Sequence, residues 1–177
     1  MLSKRNFERI PLNDVQAGLE TSKNRGLQHI NDARTLLMRD RIHGSALMTI
    51  FSLEELGRML ILKDRYQKSI TKGIGYIEIK KIGAPRQRDA FYDHKKKQDR
   101  AKKILPPGTL KIHQAAFEAG TFTNCFDIYD TFLNKDLRDA VNYVNYCNGK
   151  WQDLPFIDVD KLKNCINEIE KAIQAQV

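Results

Sequence analysis

Cysteine is scarce in this chain and poorly placed for cross-links. Cys125, Cys147 and Cys165 are odd in number, far apart and without a C-x-x-C pair. That argues against a disulfide scaffold or a zinc framework and for reduced thiols in a cytoplasmic protein. Cys125 and Cys165 fall on apolar helical faces and read as space-fillers. Histidine is equally sparse. His29, His43, His94 and His113 show no i,i+4 pairing and no H-E-x-x-H, so neither a metal nor a cofactor is expected. No G-x-S-x-G, Walker loop or dinucleotide fingerprint occurs. Five prolines and ten glycines in 177 residues leave room for long helices. The opening "MLSKRNFERIPL" lacks the apolar stretch of a secretory signal. The most apolar run, residues 46–62, is interrupted by Glu54, Glu55 and Arg58. It reads as a core helix rather than a span of an integral membrane protein.

What is present is apolar side chains in helical register and a concentrated positive charge. Hydrophobic residues make up 41% and charged residues 29%, a globular balance, and the length suits one domain over 1–177. The net charge is +8, but residues 63–103 alone hold fourteen Lys/Arg against five acids, a net +9. The remainder of the chain is therefore close to neutral. A patch of this kind attracts polyanions such as nucleic acid, an acidic protein or a membrane surface. Tyr66, Tyr76, Phe91 and Tyr92 interleave the charge, which favours nucleic acid.

The periodicity predicts a long helix after Pro11, carrying Leu12, Val15, Leu19, Leu27, Ile30, Ala33, Leu36 and Leu37. A second helix follows over about 43–68, with Gly44 as a junction or a close contact. "TKGIGYIEIKKIGAP" then suggests a short hairpin or an extended loop. "DAFYDHKKKQDRAKKI" reads as a basic helix ended by Pro106, Pro107 and Gly108. Residues 109–135 look like another long helix, and "LRDAVNYVNYCNGKW" like a short helix followed by an Asn-Gly turn. The last helix has Asp158 or Asp160 as its cap and Leu162, Ile166, Ile169 and Ile173 as its buried stripe. The sum is an all-α bundle with a basic, irregular connection between its second and third long helices.

Two carboxylates in an oily helix need partners, because an unpaired buried charge costs several kcal/mol. Glu54 and Arg58 are four apart, acid first, so Glu54 is expected to pair locally. Glu55 has no such neutraliser on its own helix and must find a donor on another element or titrate; either one of the two glutamates reaches water at the bundle's edge, or a carboxylate here holds an Arg, Lys or His from the basic third helix. Gly57 lets a second helix approach. His94 lies in the basic segment with Phe91 and Ala101 on its side, either as a satisfied bundle histidine or as an acid/base near the patch.

Three stretches in order, "ALMTIFSLEELGR", "FYDHKKK" and "LRDAVNYVNYCNGKWQDLP", resemble the AbiV-type abortive infection proteins of bacteria, phage-resistance proteins related to the all-α HEPN superfamily. Arg58 stands where that family usually has Lys, and Asn145 where an acid is expected after "YV". The resemblance implies a HEPN-like bundle, a homodimer, an RNA or ribosome-associated target and a phage-encoded activator. It also implies a metal-independent ribonuclease chemistry, built on an Arg followed closely by a His. Arg88 and His94 are the pair with that spacing. In this reading His94 is the acid/base, Arg88 holds phosphate, and Glu54 or Glu55 orients them, while Lys95, Lys96, Lys97, Arg100 and Arg86 bind nucleic acid. Six residues of regular helix turn through about 600°, which leaves the Arg88 and His94 side chains roughly 120° apart. They meet only if Arg88 lies in a frayed first turn after Pro85 or across a dimer interface. The alternative is a non-catalytic module that binds a phage or host protein.

Overall fold

The computed structural model describes residues 7–80, 89–114, 130–132, 146–147, 150–151 and 157–176. The described residues are mostly helical, in agreement with the all-α expectation, and carry three small antiparallel pairings besides. The elements run β1 (Phe7–Pro11), α1 (Leu12–Met38), α2 (Ile42–Thr71), β2 (Tyr76–Lys80), α3 (His94–Lys102), β3 (Lys111–Gln114), β4 (Asp130–Phe132), β5 (Tyr146–Cys147), β6 (Lys150–Trp151) and α4 (Val159–Gln174).

Helices α1 and α2 form an antiparallel hairpin. Its turn is tight because Asp40 takes a left-handed conformation, φ 55°, which aspartate tolerates better than most residues. The Arg39 and Arg41 N–H groups both donate to the Leu36 carbonyl there. The helix therefore restarts at Ile42, and Gly44 lies inside α2 against Leu36 rather than at the junction. Gly26 stays within α1 and is buried. A Cβ there would stand 2.9 Å from Ile173 Cδ1 and 3.4 Å from Glu55 Cβ, so the glycine lets α2 and α4 close on α1. Its carbonyl also accepts a bond from Ser52 Oγ at 2.9 Å.

Helix α4 follows its sequence pattern closely. Asp158 caps it by accepting from the Asp160 and Lys161 amides. Leu162, Ile166, Ile169 and Ile173 are buried in the main core with Ile30, Ile50, Leu53 and Leu56. Cys165 is buried there too, and its thiol donates to the Thr109 carbonyl. Burial raises its pKa to about 12, so this thiol is a space-filler. Cys125 lies outside the described residues.

The extended segments depart from the sequence expectations. The "YIEIK" alternation does make a strand, with Ile77 and Ile79 buried and Glu78 exposed. Its partner is not a hairpin neighbour but β1, in the register Ile10↔Ile77 and Phe7↔Lys80. This pair covers a second apolar cluster of Val15, Leu62, Ile77 and Ile79. The long helix expected over 109–135 is replaced at both ends by β3 and β4, which pair with each other. Gly108 at φ 81° and the Lys111 N–H bond to its carbonyl turn the chain out of helical register. Ile112 then enters the core, and its carbonyl accepts the Asp158 N–H rather than a helical amide. The short helix expected before Asn148 falls on residues outside those described, while β5 and β6 pair on either side of Asn148–Gly149. No described helix is long and apolar enough to cross a membrane.

Candidate functional site

The basic helix is shorter than its sequence suggests. Asp93 caps α3 by accepting the Lys96 N–H at 3.1 Å, so the helix begins at His94. The preceding residues form a turn closed by the Tyr92 and Asp93 amides on the Asp89 carbonyl. Spacing of three and four then puts His94, Lys97, Gln98 and Ala101 on one face, and the last three are buried. That face lies on α2 at Gly57. A Cβ on Gly57 would stand 2.0 Å from the Lys97 carbonyl oxygen, so only glycine permits this approach.

The two glutamates face different partners, and the local pairing expected for Glu54 is corrected. Arg58 instead binds both oxygens of Glu55, each at 2.8 Å, so Glu55 is neutralised from its own helix. The Arg58 guanidinium also lies 5.3 Å from the Phe91 ring centroid. Glu54 is the carboxylate that α3 takes up. His94 Nδ1 lies 2.6 Å from Glu54 Oε2, Lys97 Nζ lies 3.5 Å from the same oxygen, and Gln98 Nε2 donates to Oε1 at 2.9 Å. A carboxylate accepts, so this contact is made with the proton on His94 Nδ1, and in the neutral ring that tautomer leaves the lone pair on Nε2. The Glu54 side chain is 6% exposed and that of His94 39%, so a buried acid orients an accessible imidazole.

Lys97 was expected to bind nucleic acid on the surface. Its side chain is instead 2% exposed and directed at Glu54. Burial pushes its pKa down from the usual lysine range, and the nearby Glu54 charge opposes that shift. Lys95 and Lys96 are exposed. Arg100 forms a two-point bridge to Asp64, at 2.7 and 3.0 Å. Arg86 and Arg88 lie outside the described residues, and with them the question of whether Arg88 meets His94. Tyr66, Phe91 and Tyr92 pack against the second apolar cluster, and Arg9 covers the Tyr76 ring at 4.4 Å. The interleaved aromatics therefore serve packing.

Asp89 and Gln98 were not singled out by sequence reasoning. Asp89 accepts from Arg65 Nη2 at 2.6 Å and from the Lys80 and Phe91 amides, both at 2.9 Å. It thereby joins α2, the end of β2 and the approach to α3. Burial would raise its pKa, but the Arg65 bond and the two amides outweigh that and hold it below the usual aspartate value. Gln98 had a readable signal, since it lies four residues after His94 on the same helical face. Among the described residues, no group of His, Cys, Asp and Glu is arranged to hold a metal ion. Comparison with protein-family models, curated proteins and solved structures finds no match to this chain.

Proposed function

We propose that this chain is a bacterial abortive-infection effector of HEPN-like architecture that acts on RNA or the translation machinery of infected cells. The observation that carries the reading is the Glu54–His94 pair, at 2.6 Å on the seam of α2 and the basic α3. A carboxylate on Nδ1 fixes the ring and leaves Nε2 to accept a proton, as a general base requires. In the proposed reaction Nε2 takes the proton of a ribose 2′-hydroxyl. The 2′-oxygen attacks the adjacent phosphorus, the P–O5′ bond breaks, and the departing oxygen takes up a proton. Arg88 is assigned to the phosphate and Glu54 to positioning His94. Glu55, bound by Arg58, supports the helix rather than the reaction. A cytoplasmic homodimer released by a phage-encoded activator completes the proposal.

One observation favours the second reading, a non-catalytic module that binds a phage or host protein. Glu54 has buried donors in Lys97 and Gln98, so its network also serves to clasp α3 to α2. Cleavage of RNA by the purified chain in EDTA separates the two. The first reading expects cutting that is lost in His94→Ala and Arg88→Ala. Absence of cutting, together with tight binding of a phage protein, supports the module.

A further inference from the structure

Arg58, at the seam of α2 and α3, is only partly used by its neighbours. Both of its bonds to Glu55 leave from one nitrogen, Nη1, at 2.8 Å each. Arg100 shows the contrasting arrangement, with Nε and Nη2 side by side on the two oxygens of Asp64. On Arg58 that same edge is idle. Nη2 donates to no partner among the described residues, and Nε is buried with none. Buried donors are nearly always satisfied in folded proteins, so an orphan of this kind asks for an explanation.

The guanidinium is nevertheless held in place. Glu55 pins Nη1, and the Phe91 ring centroid lies 5.3 Å away. The side chain is 23% exposed, so it reaches the surface of the seam. Its surroundings are those of the imidazole. Glu54 stands one turn before Arg58 on the same face of α2, and His94 Nδ1 lies 2.6 Å from Glu54. Phe91 comes three residues before His94 in the chain. The Arg58 charge also acts on Lys97, whose Nζ lies 3.5 Å from the Glu54 oxygen that faces His94. The charges of the seam cancel, Glu54 and Glu55 against Arg58 and Lys97, and Asp93 against Lys95 on either side of His94 in the chain. An anion is therefore drawn here by donors aimed at it rather than by a net positive field.

We infer that Arg58 is a phosphate-binding residue of the His94 site, offering its unused Nη2 to a phosphodiester oxygen of RNA. The inference rests on the RNA-directed reading above and adds a second phosphate contact to the one assigned to Arg88. A planar guanidinium can keep one nitrogen on a carboxylate while another meets a phosphate. A lysine ammonium keeps the charge beside Glu55 but has no second edge to present.

The test is fluorescence anisotropy of the full chain with labelled 2′-O-methyl oligo(U), which has no 2′-hydroxyl to attack and so leaves His94 in place without cleavage. Arg58→Lys is expected to melt as the parent does and to bind about tenfold more weakly, the loss of one charge-assisted bond to phosphate. Arg34→Lys, at the Glu170 bridge between α1 and α4, should bind as the parent does. A second measurement needs no folded variant. The guanidinium proton–nitrogen NMR signal of Arg58, held between Glu55 and Phe91, should move when the RNA is added to the parent chain. A parent that binds RNA while Arg58→Lys binds as tightly, or while the Arg58 signal stays fixed, overturns the assignment and leaves the RNA reading standing. A parent that binds no RNA overturns both, as does capture by phosphatidylserine vesicles in place of RNA.

Discussion

Glu54 and Glu55 are neighbours in the chain and similarly buried, yet they are neutralised from opposite directions. Glu55 is held by Arg58, one turn along its own helix. Glu54 is held by three side chains of α3. The first arrangement is local and survives whatever α3 does. The second exists only while α3 is docked. A carboxylate satisfied within its helix stabilises that helix, whereas one satisfied across a seam fixes the position of another element. The candidate imidazole therefore depends on Glu54 and is largely indifferent to Glu55.

Substitution should expose this asymmetry. Glu54→Ala leaves the Lys97 ammonium buried without its partner, and a loss of about 3–5 kcal/mol is expected in urea unfolding. Glu55→Ala leaves Arg58 near the surface and still beside Phe91, so about 1–2 kcal/mol is expected. Gly57→Ala acts on the same seam through backbone contact with Lys97, with an expected loss of about 3 kcal/mol and undocking of α3, visible as increased amide exchange over residues 94–102.

A smaller effect is expected at Asp89, which secures the approach to α3. Asp89→Asn should lose about 2 kcal/mol at neutral pH. Because its pKa is lower in the folded chain than the ordinary 3.8, the unfolded chain binds the proton more tightly. Its contribution is present above that ordinary value and is lost as pH falls through the folded one. The gap between wild type and Asp89→Asn should narrow in acid, which urea melts across the acidic range would reveal. The smallest effect belongs to Asp64→Asn. Its side chain is 56% exposed, and the loss should stay under about 1 kcal/mol and fade with salt.

Local patterns were legible in the sequence and long-range ones were not. The stripe and cap of α4, the lengths of α1 and α2 and the core role of residues 46–62 follow from spacing alone. The pairing of β1 with β2 did not, because "FERIP" is five residues long and its partner lies far along the chain. Residues 111–114 carry helical spacing, but the turn at Gly108 and the bond that the Asp158 N–H donates to the Ile112 carbonyl override it. Arg58 is three residues from Glu55 and four from Glu54, and either pairing suits an isolated helix. The choice is made by α3, which occupies the Glu54 side and brings its own donors. Sequence reasoning thus anticipated a carboxylate in contact with the basic helix, but gave Arg58 to Glu54 and left Glu55 to find its donor outside its own helix.

The central claim is that Glu54, and not Glu55, clasps α3 through a buried cation. A double-mutant cycle between Glu54→Gln and Lys97→Met, run beside one between Glu55→Gln and Lys97→Met, tests it directly. A coupling of about 2 kcal/mol in the first cycle and under about 0.5 kcal/mol in the second is predicted. Additive losses for Glu54 and Lys97, or equal coupling in both cycles, would contradict it.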